Sequence, residues 1–197
     1  MILGYLDIGD IDTPISQYHN ITISLISQFM ATWLFHTLVT LAAVVGMEFM
    51  AWLTHRYVMH GFLWSWHEDH HLPRHLKDHF FEKNDRFFLV YAVPSAFCYI
   101  YGSATQTWWV FFMGIGISIY GLIYFLIHDV YIHRRFEWFP LLDNFYSRAI
   151  LRAHGSHHAK QTKEHTESFG LLFIHPKYFK KRSAWRKTVK DEYESEL

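Results

Sequence analysis

The chain has 197 residues, of which 51% are hydrophobic and 19% aromatic, and its 18 Lys plus Arg are balanced by 18 Asp plus Glu. A single Cys excludes a disulfide scaffold, a Cys-ligated zinc site and an iron–sulfur cluster. Zero net charge with so many aromatic residues argues against a disordered chain and against a nucleic-acid partner. The 16 His are the compositional outlier, and a mean hydropathy close to zero averages a very uneven distribution of charge.

Taken in chain order, residues 21–47 carry no Asp, Glu, Lys or Arg, and the apolar character continues past Glu48 to Leu53. A bilayer core about 30 Å thick needs about 20 helical residues, so residues 21–53 predict one span, tilted or protruding. No basic segment precedes it, unlike a signal peptide. Residues 87–127 form a second uncharged run of 41 residues, too long for one span. Its one polar, turn-forming stretch is 102–107, so spans are expected at 87–102 and 107–127, with Trp108 and Trp109 as interfacial anchors. Gly61 is a candidate cap for the first helix, Asn84 or Asp85 for the second span, and Pro94 predicts a kink. Pro140 and Asp143 interrupt the chain before an expected helix over 144–159. Pro176 opens a basic segment, 177–190, expected either as a surface helix or as ordinary juxtamembrane charge.

Every Lys and Arg falls in residues 56–86 or 134–190, whereas the N-terminus carries Asp7, Asp10 and Asp12. The positive-inside rule places the N-terminus outside and segments 54–86 and 128–197 in the cytoplasm. The expected fold class is therefore all-α. It is a single membrane domain, 1–197, of about three transmembrane helices, with room for a fourth re-entrant element, and a cytoplasmic helical cap.

Ten His form four motifs: His55 and His60 in HRYVMH, His67, His70 and His71 in HEDHH, His128 and His133 in HDVYIH, and His154, His157 and His158 in HGSHH. All four lie at or just past a span end on the predicted cytoplasmic side, a placement derived from Lys and Arg alone. In H-x2-H-H, helical positions i, i+3 and i+4 share a face and aim at one point or two adjacent ones. In H-x4-H the rings stand about 140° apart on an ideal helix. Either the helix end distorts or the two rings serve different sites. Ten imidazoles exceed one coordination sphere, and two metals is the natural count. Zinc and iron both suit imidazole, and the spacing does not choose between them. Glu48, two turns before His55, and Asp129, beside His128, are candidate groups for orienting ligands. Among the other His, His75 or His79 is a candidate extra ligand. His36 is mid-span, His165 and His175 are expected on the surface or behind the ligands, and His19 lies on the opposite side.

The stretches GMEFMAWLTHRYVMHGFLWSWHEDHH (46–71), FEKND (81–85), YGLIYFLIHDVYIHRRF (120–136), RAHGSHHAK (152–160) and ESFGLLF (167–173) resemble the bacterial β-carotene 3-hydroxylase family, within the membrane fatty-acid hydroxylase and sterol desaturase superfamily. The resemblance covers about residues 46–173. It implies a non-haem di-iron monooxygenase in which the ten motif His bind two ferrous ions, zinc being a possible substitute, with O2 as co-substrate. The implied reaction places a hydroxyl on carbon 3 of each β-ionone ring of β-carotene, giving zeaxanthin through cryptoxanthin. The same ligands would serve a fatty-acid or sterol hydroxylase or desaturase, or a carotenoid ketolase. The chain carries no Gly-rich nucleotide fingerprint. Electrons are therefore expected from an external donor, such as a ferredoxin with its reductase, met by Arg134, Arg135, Arg148 and Arg152 if these are not simply membrane-surface charge. A carotenoid substrate would enter from the bilayer past aromatic residues such as Phe62, Trp64, Trp66, Phe87, Tyr91, Tyr120, Tyr124 and Phe125, which aromatic belts also explain.

Overall fold

The computed structural model describes residues 12–73, 80–164 and 166–179. The N-terminal residues 1–11, most of the basic segment 177–190, and His75, His79 and His165 lie outside them. Every element among the described residues is helical. Helix α1 (Asp12–Thr54) runs into a wide π turn (His55–Phe62), then α2 (Trp64–His67) and a 3-10 turn (Glu68–His71). A second 3-10 turn (Lys83–Arg86) leads into α3 (Phe87–Ala104). Helix α4 (Trp108–Tyr124) continues as another π turn (Phe125–Ile132). Helix α5 (Phe145–His158) and a short 3-10 turn (Pro176–Phe179) are the last elements among the described residues.

Three of these helical stretches are long and apolar enough to cross a membrane: Tyr18–Phe62, Lys83–Ala104 and Trp108–Ile132. The chain is a membrane protein. Large apolar side chains such as Leu34, Leu38, Leu41 and Val45 on α1, and Phe88, Val93, Phe97 and Ile100 on α3, face outward, where lipid takes the place of a core partner. Helix α1, with 43 residues, is about 64 Å long at 1.5 Å per residue. That is about twice the hydrocarbon thickness, so the first span protrudes.

The spans meet through small residues, since lipid-embedded helices gain little from hydrophobic exclusion and depend on close contact. A Cβ on Gly116 would sit 2.5 Å from the Thr40 carbonyl oxygen and 2.6 Å from Ala43 Cβ. Here α1 and α4 approach backbone to side chain, and the Thr40 hydroxyl donates to the Phe112 carbonyl at 3.1 Å. On another face of α4, a Cβ on Gly114 would meet Cys98 Cβ at 2.9 Å and the Ser95 carbonyl at 3.2 Å, setting the α3–α4 contact. Ser95 Oγ reinforces it by donating to the Gly114 carbonyl at 3.0 Å. Pro94 lies inside α3. The α3–α4 link turns at Gln106, whose φ is 55°.

The helix starts follow capping chemistry. Asn144 caps α5, accepting from the Ser147 amide at 2.9 Å. The entry to α3 differs from expectation: Glu82 and Asp85 form a reciprocal capping box around the 3-10 turn. Neither Asn84 nor Asp85 is the cap residue, and the Asn84 side chain is directed to His67. The chain leaves the first long helix at Gly61, whose φ of −108° and ψ of −120° are not helical. Beneath the span ends, α5 packs Ile150 and Leu151 against Ile132 and Leu171. Val130, Ala149 and His157 lose all solvent contact.

Candidate metal centre

The two π turns resolve the H-x4-H geometry by distorting the helix end. In an i→i+5 turn, residues five apart stack where an α-helix would splay them. The His133 amide donates to the His128 carbonyl at 2.9 Å, and the Leu63 amide to the Val58 carbonyl at 3.0 Å. Each H-x4-H pair thus serves one site. His55 and His60 join His67, His71 and His157, while His128 and His133 join His70 and His154. Within each set one ligating atom per residue lies within 4.8 Å of all the others. The H-x2-H-H motifs divide instead. His67 and His71 point one way and His70 the other, and His157 and His154 likewise separate. His158 stacks on His71, with centroids 4.6 Å apart, and lies 4.5 Å from His154 and 4.8 Å from both His70 and His133. Its Nε2 is buried without a hydrogen-bond partner. All ten motif His therefore meet at one place.

The outward nitrogens explain the inward ones. Nδ1 of His55 faces the Phe169 carbonyl at 3.0 Å, Nδ1 of His71 the Lys160 carbonyl at 2.9 Å, and Nδ1 of His157 the Glu167 carbonyl at 3.0 Å. His60 Nδ1 lies 3.3 Å from the Lys163 carbonyl and 3.1 Å from Thr166 Oγ1. His67 Nδ1 meets Asn84 Oδ1 at 2.7 Å, and His70 Nδ1 meets Glu82 Oε2 at 2.6 Å. His128 Nδ1 lies 3.3 Å from Asp129 Oδ2. Oxygens that only accept require the proton on Nδ1, which leaves Nε2 as a lone pair. Nε2 of His55 is nevertheless 3.1 Å from Nε2 of His67, His60 is 3.1 Å from His157, and His70 is 3.2 Å from His128. Lone pairs facing one another at that distance repel unless a cation lies between them. The donor set fits metal ions.

Burial keeps these rings neutral. It pushes His67 and His157 down to about 2, the neighbouring His reinforcing it and the hydrogen bonds to Asn84 and the Glu167 carbonyl opposing it. Burial, with repulsion from neighbouring His, also holds His70, His154 and His158 well below the usual histidine range. A neutral imidazole is the metal-binding form.

Asp129 lies beside His128 and is bridged to Arg135 at 2.8 Å. Arg135 also pairs with Asp85 at 2.7 Å and donates to the Phe80 carbonyl at 2.9 Å, and these internal partners raise it above the usual arginine value. Its guanidinium is a strut. Arg148 likewise pairs with Asp143 at 2.6 Å, and Arg152 donates to the Tyr178 carbonyl at 3.0 Å. Glu48 differs from expectation. Its Oε2 accepts from the Tyr120 hydroxyl at 2.7 Å, and its Oε1 accepts from the amides of Leu171, Leu172 and Phe173 at 2.9, 2.7 and 3.1 Å. Both oxygens are engaged elsewhere than His55, Oε1 because the loop after Gly170 folds its amides onto it and Oε2 by Tyr120. Glu48 reaches the ligands indirectly, through that loop and through Tyr120, which lies against the Tyr124 ring stacked on His128. Ser168, within it, takes a left-handed φ of 66°, a conformation costing a non-glycine residue about 1 kcal/mol and maintained where surroundings enforce it.

Sequence reasoning missed Glu82, Asn84 and the carbonyls of Lys160, Lys163, Glu167 and Phe169. The FEKND stretch, with an acid and an amide between the His clusters, carried a readable signal; main-chain carbonyls carry none. Outside the centre, His36 stacks on Phe112 with centroids 4.4 Å apart, and His175 Nδ1 accepts from the Lys177 amide at 3.2 Å. Of the aromatic residues expected to line an entry route, Phe87 and Tyr120 are buried and Phe62 is exposed. Tyr124 stacks on His128 with centroids 4.7 Å apart.

A membrane-embedded helical scaffold ending in a histidine cage defines a class, and comparison gives it a name. The chain belongs to the fatty acid hydroxylase family, whose model matches residues 40–176, and it is a hydroxylating oxidoreductase. More closely, it is 38% identical over 144 residues to a β-carotene hydroxylase of Pantoea ananas, covering 73% of this chain and 80% of that one. It is 39% identical over 142 residues to a β-carotene hydroxylase of a Paracoccus species, covering 71% and 84%. The chloroplastic β-carotene 3-hydroxylase 2 of Arabidopsis thaliana is 37% identical over 141 residues, 70% of this chain but 45% of the plant protein. No solved structure matches the chain.

Proposed function

We propose that this protein hydroxylates β-carotene at carbon 3 of each β-ionone ring, giving zeaxanthin through cryptoxanthin, at a centre of two iron ions. The observation that carries the reading is the convergence of ten His at the foot of three spans, the outward nitrogens of seven of them held by oxygen acceptors. The metal ligands are His55, His60, His67, His71 and His157 for one ion, with His70, His128, His133, His154 and His158 for the other. Each turnover consumes O2, two electrons and two protons, converts one C–H to C–OH and releases one water. Bound iron supplies the redox chemistry that O2 activation needs; zinc filling the same cage would not change oxidation state. The chain's own residues hold the imidazoles neutral and aimed, and exclude bulk water from the cage. A lipid-dissolved carotenoid reaches it from the bilayer, and an external donor, such as a ferredoxin with its reductase, supplies the electrons. We place the cage and the C-terminus in the cytoplasm of a bacterial inner membrane, in accord with the distribution of Lys and Arg.

Coexpression with a β-carotene supply tests this. Zeaxanthin and cryptoxanthin are expected from the native chain, and neither from His70→Ala or His157→Ala. A ketone at carbon 4, or unchanged β-carotene beside a hydroxylated or desaturated fatty acid, would overturn the substrate and position assigned here.

A further inference from the structure

The two halves of the cage have the same number of imidazoles once His158 is counted with His70, His133 and His154, its nearest neighbours besides His71. They differ in what stands behind the rings. In the half formed by His55, His60, His67, His71 and His157, the oxygens at Nδ1 are uncharged. They are the carbonyls of Phe169, Lys163, Lys160 and Glu167 and the Asn84 amide. In the other half, His70 is backed by the Glu82 carboxylate at 2.6 Å and His128 by the Asp129 carboxylate at 3.3 Å. Asp129 shares its charge with Arg135, and Glu82 lies the closer of the two to its His. Its contact with His70 is short, and both side chains are nearly buried, at 2% and 7% exposure.

A carboxylate receiving the Nδ1 proton pushes electron density onto the far nitrogen and makes it a better donor to a cation, while a carbonyl or amide does so less. The carboxylates also place negative charge close to a metal at His70 and His128, in surroundings that screen poorly.

We propose that the two metal positions are inequivalent: the one at His70, His128, His133, His154 and His158, backed by Glu82 and Asp129, retains its ion, while the one backed by Asn84 and main-chain carbonyls releases it first. Asn84 and Glu82 are the residues that set the difference, from the same short segment two positions apart. Each acts as a positioning and tuning residue through the His it holds. The proposal rests on the two-metal reading above.

The test is iron release, read apart from catalysis. Protein purified in detergent and loaded anaerobically with ferrous iron is mixed with excess 1,10-phenanthroline. The coloured complex is followed in time, and the remaining iron is measured by elemental analysis. Two phases of one iron each are expected, separated by about 10-fold or more, the usual scale of effects from groups behind a ligand. Glu82→Gln should speed the slow phase about 10-fold and leave the fast one unchanged. Because Glu82 also caps the entry to α3, Asn84→Asp provides a second arm that keeps the cap: it should slow the fast phase and draw the two together. A single phase for the native chain, or a Glu82→Gln effect on the fast phase, overturns the proposal. Two irons leaving together would overturn only the inequivalence, whereas loading of fewer than two would overturn the two-metal reading with it.

Discussion

At the scale of single residues, the cage shows which kinds of information a sequence carries. The ten motif His were legible because helical spacing and the placement of Lys and Arg both led to one face. Their division into two sets was not, because rings on one helix face can serve one point or two adjacent ones, and the choice is made by the distant acceptors that hold each ring from behind. Glu48 shows the same limit. Its two-turn spacing from His55 suggested direct contact, yet its carboxylate gathers Tyr120 and three consecutive amides. Glu48→Ala would leave those donors buried without an acceptor, at about 1–3 kcal/mol for each. A fall of 10-fold or more in hydroxylated product and a lower Tm in detergent are expected. Glu48→Gln keeps an oxygen for the amides and should fall between Glu48→Ala and the native chain in both measurements.

At the scale of elements, the number of candidate spans followed from charge-free length and one polar interruption. The π turns did not, since an i→i+5 turn has no compositional mark. Two His five residues apart were the single hint, and only as one of two alternatives. Helix contacts were equally hidden, because Gly114, Gly116 and Gly121 look alike in sequence and differ in space. Gly116 lies against the Thr40 carbonyl, while nothing stands within 4 Å of a Cβ on Gly121. Gly116→Leu should force α1 from α4 and reduce the monodisperse fraction recovered in detergent, with iron content falling in parallel. Gly121→Ala should leave both unchanged, and a loss equal to that of Gly116→Leu would refute the contact as the cause.

At the scale of the whole molecule, the protein sets lipid-facing spans over a buried, uncharged nest of imidazoles, and that nest responds to acid. His67, His70, His154, His157 and His158 have folded-state values below their unfolded ones. The unfolded chain therefore binds more protons as pH falls through about 6.5. Stability of the metal-free protein should be level above that pH and decline below it, by up to about 1.4 kcal/mol per pH unit for each such His. Thermal unfolding of chelator-treated protein between pH 5 and 8 measures this, and a Tm that rises on acidification would contradict it. The loop over 160–173 carries a different consequence. Most of the oxygens it lends to the cage belong to the peptide backbone, so they are present whichever side chains occupy those positions. Substitutions at Lys160 or Lys163 can accumulate with little effect on the cage, while the points that fix the path of the loop, the clasp on Glu48 and the Tyr178 hydroxyl on Glu167 at 2.9 Å, bear the selective pressure in their place. Mutational tolerance is thus shifted away from the residues nearest the metals and onto the fastenings that hold their supports.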